Sequence, residues 1–149
     1  MRFFRDPPPI LPAGSTKTLS RATERGAVIK LDTLTGSVVT LPPSIGDGCR
    51  FLFLVSVLAT SNSHIIKVAN ATDVFRGIIA TLDSDLAAVN QWGFAAASTS
   101  DTITLERTNQ GSVTLGEWVE VFDYAAGFWF VRGQLSGAAP ATPFSASVS

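Results

Sequence analysis

Short runs of alternating apolar and polar residues recur along the chain from residue 26 onwards. Residues 102–106 give the clearest example, because Ile103 and Leu105 alternate with polar side chains. A period of two is typical of a β-strand with one buried face, whereas an amphipathic helix repeats every three or four residues. No segment sustains the helical period, and the pattern therefore predicts an all-β fold.

The predicted strands are separated by turn residues such as Gly, Asn, Asp and Pro. About nine strands are expected, at residues 27–32, 37–41, 49–60, 64–69, 74–82, 91–97, 102–106, 118–124 and 128–135. A further strand is expected in the C-terminal tail, residues 142–149, where Phe144, Ala146 and Val148 share one face. Residues 83–88 fit a single helical turn, since Asp and Ser are good helix caps.

The stretch from residue 36 to residue 58 organises this pattern. Pro42 and Pro43 end one strand, because proline has no N–H to donate. Gly46-Asp47-Gly48 then supplies residues that tolerate a positive φ and turns the chain into a long apolar strand. We expect that strand at the centre of the fold.

Two turns predict hairpins. Thr35-Gly36 is expected to join the first two strands, and Ala125-Ala126-Gly127 is expected to join the strands at residues 118–124 and 128–135. Gly77, inside another predicted strand, indicates either a bulge or a close approach of two backbones.

Many short strands without intervening helices predict an antiparallel β-sandwich of jelly-roll or Greek-key type over residues 26–149. Residues 1–25 are rich in proline and polar side chains, which favours an extended N-terminal arm. Such an arm cannot bury apolar side chains against itself, so we expect it to dock on a partner surface. The alternative is a flexible terminus without a binding role. The candidate contact residues of the arm are Arg2, Phe3, Phe4, Arg5, Ile10 and Leu11.

The composition is apolar for a chain of 149 residues, with 46% hydrophobic and 15% charged residues and a net charge of −1. This length supports one domain with its own core, and so small a net charge opposes self-association only weakly. We therefore expect burial in an assembly. The sequence has neither the roughly 18-residue apolar run that spans a bilayer nor an apolar secretion signal near Met1, so we expect synthesis in the cytoplasm and no membrane contact.

The single histidine, His64, and the single cysteine, Cys49, limit the chemistry that the chain can perform. They favour neither a zinc site nor a disulfide, and no metal or cofactor is expected. A Ser–His–Asp triad around His64 would lack the Gly-x-Ser-x-Gly elbow that often presents the nucleophile. Arg50 could lower the pKa of the Cys49 thiol, but the apolar strand that follows favours an inert, buried thiol. No enzymatic activity is predicted.

Acidic residues occur in two groups. Asp83 and Asp85 lie in a turn, where a weak calcium site is the alternative to a solvated face. Glu117, Glu120 and Asp123 alternate along one strand and are expected to be solvated. The chain beyond the arm is acidic on balance, so nucleic acid is not an expected partner.

Aromatic residues are concentrated in the second half of the chain. Alternation places Phe128 and Phe130 on one face of their strand and Trp129 on the other, so at least one of the two faces is exposed or lies in an interface. Aromatic side chains form cores, anchor interfaces and stack on sugars. The candidate interface aromatics are Trp118, Phe122, Tyr124, Phe128, Trp129 and Phe130.

A distributed signature covers most of residues 36–149. It comprises GSVVTLP at residues 36–42 with Gly46-Asp47-Gly48, SNSHIIKVANATD at 61–73 with Phe75 and Gly77, ASTSDTITL at 97–105, GEWVEVFD at 116–123 with Trp129, and ATPFSASVS at 141–149. On these residues the chain resembles the capsid decoration, or cement, proteins of tailed bacteriophages. Residues 1–25 lie outside the resemblance.

The resemblance implies a β-sandwich that binds the outside of an assembled capsid as a homo-dimer or homo-trimer and stabilises it without enzymatic activity. Its partner would be the major capsid protein, its location the virion surface, and its arm a candidate capsid contact. The alternative is a carbohydrate-binding or receptor-binding knob of a tail fibre or spike, although fibre tips usually follow a repetitive shaft that this sequence lacks. A small hydrolase is the third hypothesis.

Overall fold

The computed structural model describes residues 7–84, 87, 90–138 and 141–148 and shows a nearly all-β chain. Among these residues the only helix is α1 (Arg21–Glu24), a single turn that the sequence pattern did not predict. The strands are β1 (Ile10–Pro12), β2 (Thr16–Thr18), β3 (Val28–Leu31), β4 (Val38–Thr40), β5 (Arg50–Val55), β6 (His64–Lys67), β7 (Val74–Asp83), β8 (Gln91–Ala95), β9 (Thr102–Leu105), β10 (Trp118–Ala125), β11 (Phe128–Gly137) and β12 (Phe144–Ser145).

The strands form two mixed sheets. The larger sheet has seven strands in the order β1-β3-β5-β10-β11-β7-β8, and the smaller sheet has five in the order β12-β9-β6-β4-β2. Of the ten strand pairs within the described residues, five are parallel, including β3 with β5 and β7 with β11. The all-β prediction is confirmed, but the sheets are mixed and not antiparallel as predicted.

The first six strands alternate between the two sheets. β1, β3 and β5 lie side by side in parallel in the larger sheet, and β2, β4 and β6 do the same in the smaller one. The chain therefore crosses from one sheet to the other after each of these strands. The predicted hairpin between residues 27–32 and 37–41 is wrong, because these strands lie in different sheets. Gly36, which suggested the hairpin turn, instead packs against the next crossover, where an added Cβ would lie 2.3 Å from the carbonyl oxygen of Ser63.

The second predicted hairpin is confirmed. β10 and β11 pair antiparallel, and Gly127 in their connection has a φ of 82°. β11 also pairs in parallel with β7 along its whole length. In that pair a Cβ added at Gly77 would lie 1.9 Å from the carbonyl oxygen of Val131, so the expected close backbone approach is present.

Both sheets contribute buried side chains to one hydrophobic cluster. The larger sheet contributes Phe51, Phe53 and Trp129 among others, and the smaller sheet contributes Ile66 and Ile103. Burial of each such side chain stabilises the fold by about 1.5–3 kcal/mol relative to exposure. One face of each sheet is therefore committed to the core.

The domain boundary predicted at residue 25 differs from the structure. β1 and β2 each join one of the two sheets, and Ala13 and Leu19 are buried in the shared cluster. The prolines suggested an unpaired chain, yet Pro12 lies on an edge strand, where one side of the backbone needs no partner. The described part of the predicted arm is thus integrated into the fold.

The C-terminal tail strand is present in a short form, because β12 pairs antiparallel with β9. Asp101 secures the tail by accepting hydrogen bonds from the backbone N–H groups of Ser147 (2.7 Å) and Val148 (3.1 Å). In the predicted helical turn at residues 83–88, Asp83 belongs to β7, whereas residues 85, 86 and 88 lie outside the described residues.

Candidate functional site

The seven-stranded sheet has a face that points away from the core, which we call the outer face. In β10, Val119 and Val121 are buried, so alternation directs Trp118, Glu120 and Phe122 outwards. Eight large apolar side chains are exposed among the described residues. Five of them lie on the outer face, namely Ile10, Ile78, Leu82, Tyr124 and Phe130. Tyr124 and Phe130 are in edge-on ring contact, and adjoining apolar exposure of this kind marks interaction surfaces, whereas scattered single residues do not.

One row of side chains crosses four strands of the outer face. The strand register pairs Arg50 with Phe122, Phe122 with Phe130, and Phe130 with Arg76. Two phenylalanines are thus flanked by two arginines, and we call this set the arginine–phenylalanine row. The guanidinium carbon of Arg50 lies 4.7 Å from the centre of the Phe122 ring, which is within cation–π range.

Two further aromatic rings extend this row. Tyr124 lies 6.1 Å from Phe128 and meets Phe130 edge-on at 6.5 Å between ring centres. Arg76 lies 5.3 Å from the centre of the Phe128 ring. The result is a continuous patch of arginine and aromatic side chains at one end of the outer face.

Glu120 lies beside the row, between two arginines. Its Oε2 accepts a 2.6 Å hydrogen bond from Nε of Arg132, and its Oε1 is 3.7 Å from Arg50. The side chains of Arg50 and Arg132 are 60% and 62% exposed. Together with Phe122 and Phe130, these three residues line a hollow of about 170 Å³. The patch is positively charged, because it contains three arginines, Arg50, Arg76 and Arg132, and one glutamate, Glu120.

Five of the six predicted interface aromatics lie on the outer face: Trp118, Phe122, Tyr124, Phe128 and Phe130. The prediction for Trp129 is wrong. Alternation turns its side chain into the core, where it is fully buried and its ring lies 6.2 Å from that of Phe51. It therefore stabilises the fold and contributes no contact surface.

The structure places two of the predicted arm residues. Ile10 and Leu11 belong to β1, with Ile10 exposed on the outer face and Leu11 packed against the core. The remaining predicted contacts, Arg2, Phe3, Phe4 and Arg5, lie outside the described residues.

His64 is fully buried and both of its ring nitrogens contact backbone groups. Nδ1 accepts a 3.0 Å hydrogen bond from the N–H of Ser37, and Nε2 lies 2.8 Å from the carbonyl oxygen of Val57. This arrangement fits a neutral ring that donates from Nε2. Burial lowers the pKa of His64, outweighing the hydrogen bond to Val57. With both nitrogens engaged by the backbone, His64 is not placed to take a proton from a serine.

Cys49 is also buried in the core. Burial raises the pKa of its thiol, and the nearby charges of Arg21 and Arg25 offset this only in part. A thiol that resists ionisation is a poor nucleophile.

Asp123 is a buried carboxylate, although alternation along its strand predicted a solvated face. Its carboxylate is fully buried and lies 2.9 Å from Arg21, whose guanidinium also bonds Asp47. Asp123 accepts hydrogen bonds from Ser44 Oγ (2.9 Å) and from the backbone N–H groups of Ile45 (3.0 Å) and Gly46 (2.8 Å). Through these contacts Asp123 connects the turn at residues 42–48 to the β10–β11 hairpin and to α1. Burial raises the pKa of Asp123, but these hydrogen bonds lower it by more, so the net shift is downward.

Glu117 is a second buried carboxylate, also mistaken for a solvated one. One oxygen accepts hydrogen bonds from the N–H groups of Val113 (3.0 Å) and Thr114 (2.6 Å) and from the hydroxyl of Ser136. The other oxygen is buried without a hydrogen-bond partner among the described residues. Burial raises the pKa of Glu117 by more than its hydrogen bonds lower it.

The acidic residues in and next to β10 do not converge on one site. Glu120 points outwards from β10 and Asp123 lies on the buried side of that strand, while Glu117, the residue before β10, is also buried. Within the described part of the chain, no three His, Cys, Asp or Glu side chains cluster as a metal ion would require. No helix described there is long and apolar enough to cross a membrane.

Comparison with known proteins gives no relative. No family model, no curated protein and no solved structure matches this chain.

Proposed function

We propose that this protein is a capsid decoration protein that binds the exterior of a tailed-bacteriophage shell through the outer face of its seven-stranded sheet. The observation that carries the proposal is the exposed patch of aromatic and arginine side chains around Phe122, Tyr124 and Phe130. Aromatic residues and arginine are enriched in the centres of protein interfaces, where they supply most of the binding energy. The sequence resemblance supplies the partner, the major capsid protein.

Because both sheets bury side chains in one cluster, we interpret the domain as a β-sandwich that uses mixed sheets where jelly-roll and Greek-key domains use antiparallel ones. It acts by binding alone, as a homo-dimer or homo-trimer, without a cofactor. Residues Arg2, Phe3, Phe4 and Arg5 add contacts to the capsid in this proposal.

The second candidate is a carbohydrate-binding knob of a tail fibre or spike. The hollow lined by Phe122, Phe130, Arg132 and Glu120 favours it, because aromatic rings beside hydrogen-bonding groups suit a sugar. A knob occurs in a few copies at the tail, whereas a decoration protein covers the head.

Co-sedimentation with undecorated capsid shells tests the proposal. Phe130→Asp places a charge in the patch, and we expect it to weaken binding at least about tenfold, which corresponds to about 1.4 kcal/mol. Leu34→Asp is the matched control, because Leu34 is 59% exposed but lies in a crossover loop away from the outer face. Equal binding of both variants and the unmodified protein would contradict attachment through this face.

A further inference from the structure

We propose that the outer face recognises an extended segment of its partner in which two carboxylate side chains, four residues apart, flank an apolar side chain. This inference rests on the proposed function and specifies the partner chemistry. It depends on the spacing and charge of the arginine–phenylalanine row.

The spacing of the row sets the spacing of the ligand. Arg50 and Arg76 are separated by three strand-to-strand steps across β5, β10, β11 and β7. Neighbouring strands lie about 4.8 Å apart, so the backbones that carry the two arginines are about 14 Å apart. An extended chain advances about 3.4 Å per residue, and residues i and i+4 are therefore also about 14 Å apart.

The same periodicity places the apolar residue. In an extended segment, side chains i, i+2 and i+4 point to the same side. When residues i and i+4 reach Arg50 and Arg76, residue i+2 lies over Phe122 and Phe130. An apolar side chain at that position buries the exposed ring of Phe130 and the part of the half-buried Phe122 ring that Arg50 leaves open. The intervening residues point away from the sheet.

The arginines are held in position before a ligand arrives. Arg76 donates hydrogen bonds to the carbonyl oxygens of Phe75 (3.2 Å) and Ala97 (3.0 Å), and Arg50 stacks on Phe122. Guanidinium groups bind carboxylates through charge-assisted and often paired hydrogen bonds. Because the arginine side chains are already ordered, less conformational entropy is lost on binding.

A carboxylate-bearing protein segment fits this face better than two other occupants. A second copy packed face to face would bring two positively charged patches together. Arginine and aromatic residues also bind single-stranded nucleic acid, but Glu120 lies beside the middle of the row, where it would repel a continuous phosphate backbone. The proposed segment places an apolar residue at that point.

Two labelled peptides of identical composition test the spacing on the full-length protein. One contains Glu-Ser-Leu-Ser-Glu between Gly-Ser flanks. In the other, Glu-Ser-Leu-Glu-Ser, the glutamates are three residues apart and point to opposite sides. We expect the first to bind at least about tenfold more tightly in a fluorescence anisotropy titration, because losing one charge-assisted contact costs on the order of a factor of ten.

Matched variants of the protein complete the experiment. Arg50→Gln should reduce binding of the first peptide to the level of the second, and the high exposure of Arg50 makes the variant safe for folding. Lys30→Gln is the control, since Lys30 is a cation of the same face outside the row, and it should bind like the unmodified protein. Arg76→Gln should resemble Arg50→Gln, provided that its melting temperature is unchanged.

Three outcomes would overturn the inference. The first is equal binding of the two peptides. The second is that a single-stranded oligothymidylate binds more tightly than the first peptide and that Arg50→Gln abolishes this binding, and the third is a dimer in sedimentation that Phe130→Asp dissociates. The proposed function is tested separately by the shells. Shell binding without peptide discrimination contradicts the partner chemistry alone, whereas peptide discrimination without shell binding contradicts the capsid assignment alone.

Discussion

Gly77 lies directly against the backbone of Val131, and a Cβ added at Gly77 would come within 1.9 Å of the Val131 carbonyl oxygen. The glycine also has a φ of 138°, a conformation that other residues rarely adopt. Gly77→Ala should therefore separate β7 from β11 and lower the free energy of unfolding by about 3 kcal/mol or more.

Gly93→Ala is the control for that substitution. Gly93 lies in β8 of the same sheet, but an added Cβ would meet only a side-chain methyl of Ile78 at an ordinary 3.7 Å. Chemical denaturation of both variants should show a large loss for Gly77→Ala and a change below about 1 kcal/mol for Gly93→Ala. Comparable losses would show that close packing of β7 on β11 is not the cause.

Replacing Asp123 should release the Pro42–Gly48 turn. Asp123→Asn removes the charge that Arg21 and two backbone N–H groups bind, and breaking a buried ion pair costs about 3–5 kcal/mol. Glu120→Gln breaks ion pairs to well-exposed arginines and should cost less than about 1 kcal/mol. Denaturation at neutral pH measures both, and equal losses would contradict the structural role of Asp123.

His64 should make the fold less stable as the pH falls below its ordinary pKa of 6.5. Because burial lowers the pKa of His64, the unfolded chain takes up a proton at a pH where the folded protein does not. This contribution should lower the free energy of unfolding of the unmodified protein, relative to that of His64→Gln, as the pH falls from 7.5 to 5.5. His64→Gln, which can still accept from Ser37 and donate to Val57, should lack this decrease, and parallel pH profiles would contradict the buried, neutral state.

Glu117 should act in the opposite direction. Its pKa is raised in the folded protein, so the unfolded chain loses its proton first, and stability falls as the pH rises from 4.5 through the folded pKa. The difference in unfolding free energy between the unmodified protein and Glu117→Gln isolates this term from that of His64. As the pH rises, the unmodified protein should lose stability relative to Glu117→Gln. A difference that does not change with pH would exclude a raised pKa of Glu117.

The strands were largely predictable from the sequence, but their partners were not. The 118–124 and 128–135 runs and their three-residue connection predicted β10 and β11, because hairpin pairing is local. In contrast, β3 pairs with β5 and β4 pairs with β6, and no short-range signal distinguishes a crossover to the other sheet from a turn within one. Gly36 is the clearest case, since its role depends on Ser63, which is distant in sequence.

The candidate site was predictable in part. Alternation correctly separated Phe128 and Phe130 from Trp129, but it could not say which face the core occupies. The arginine–phenylalanine row was not predictable, because it joins Arg50 and Arg76 through strands from three distant parts of the chain. Asp123 was misjudged because its partners, Arg21 and the backbone after Ser44, approach it only in the folded protein.

Electron cryo-microscopy of intact phage particles that carry the protein is the most direct measurement. Capsid decoration predicts many copies at regular positions over the exterior of the head, with the outer face around Phe122 and Phe130 against the major capsid protein. A few copies confined to the tail, or copies on the head whose outer face is turned to solvent, would contradict it.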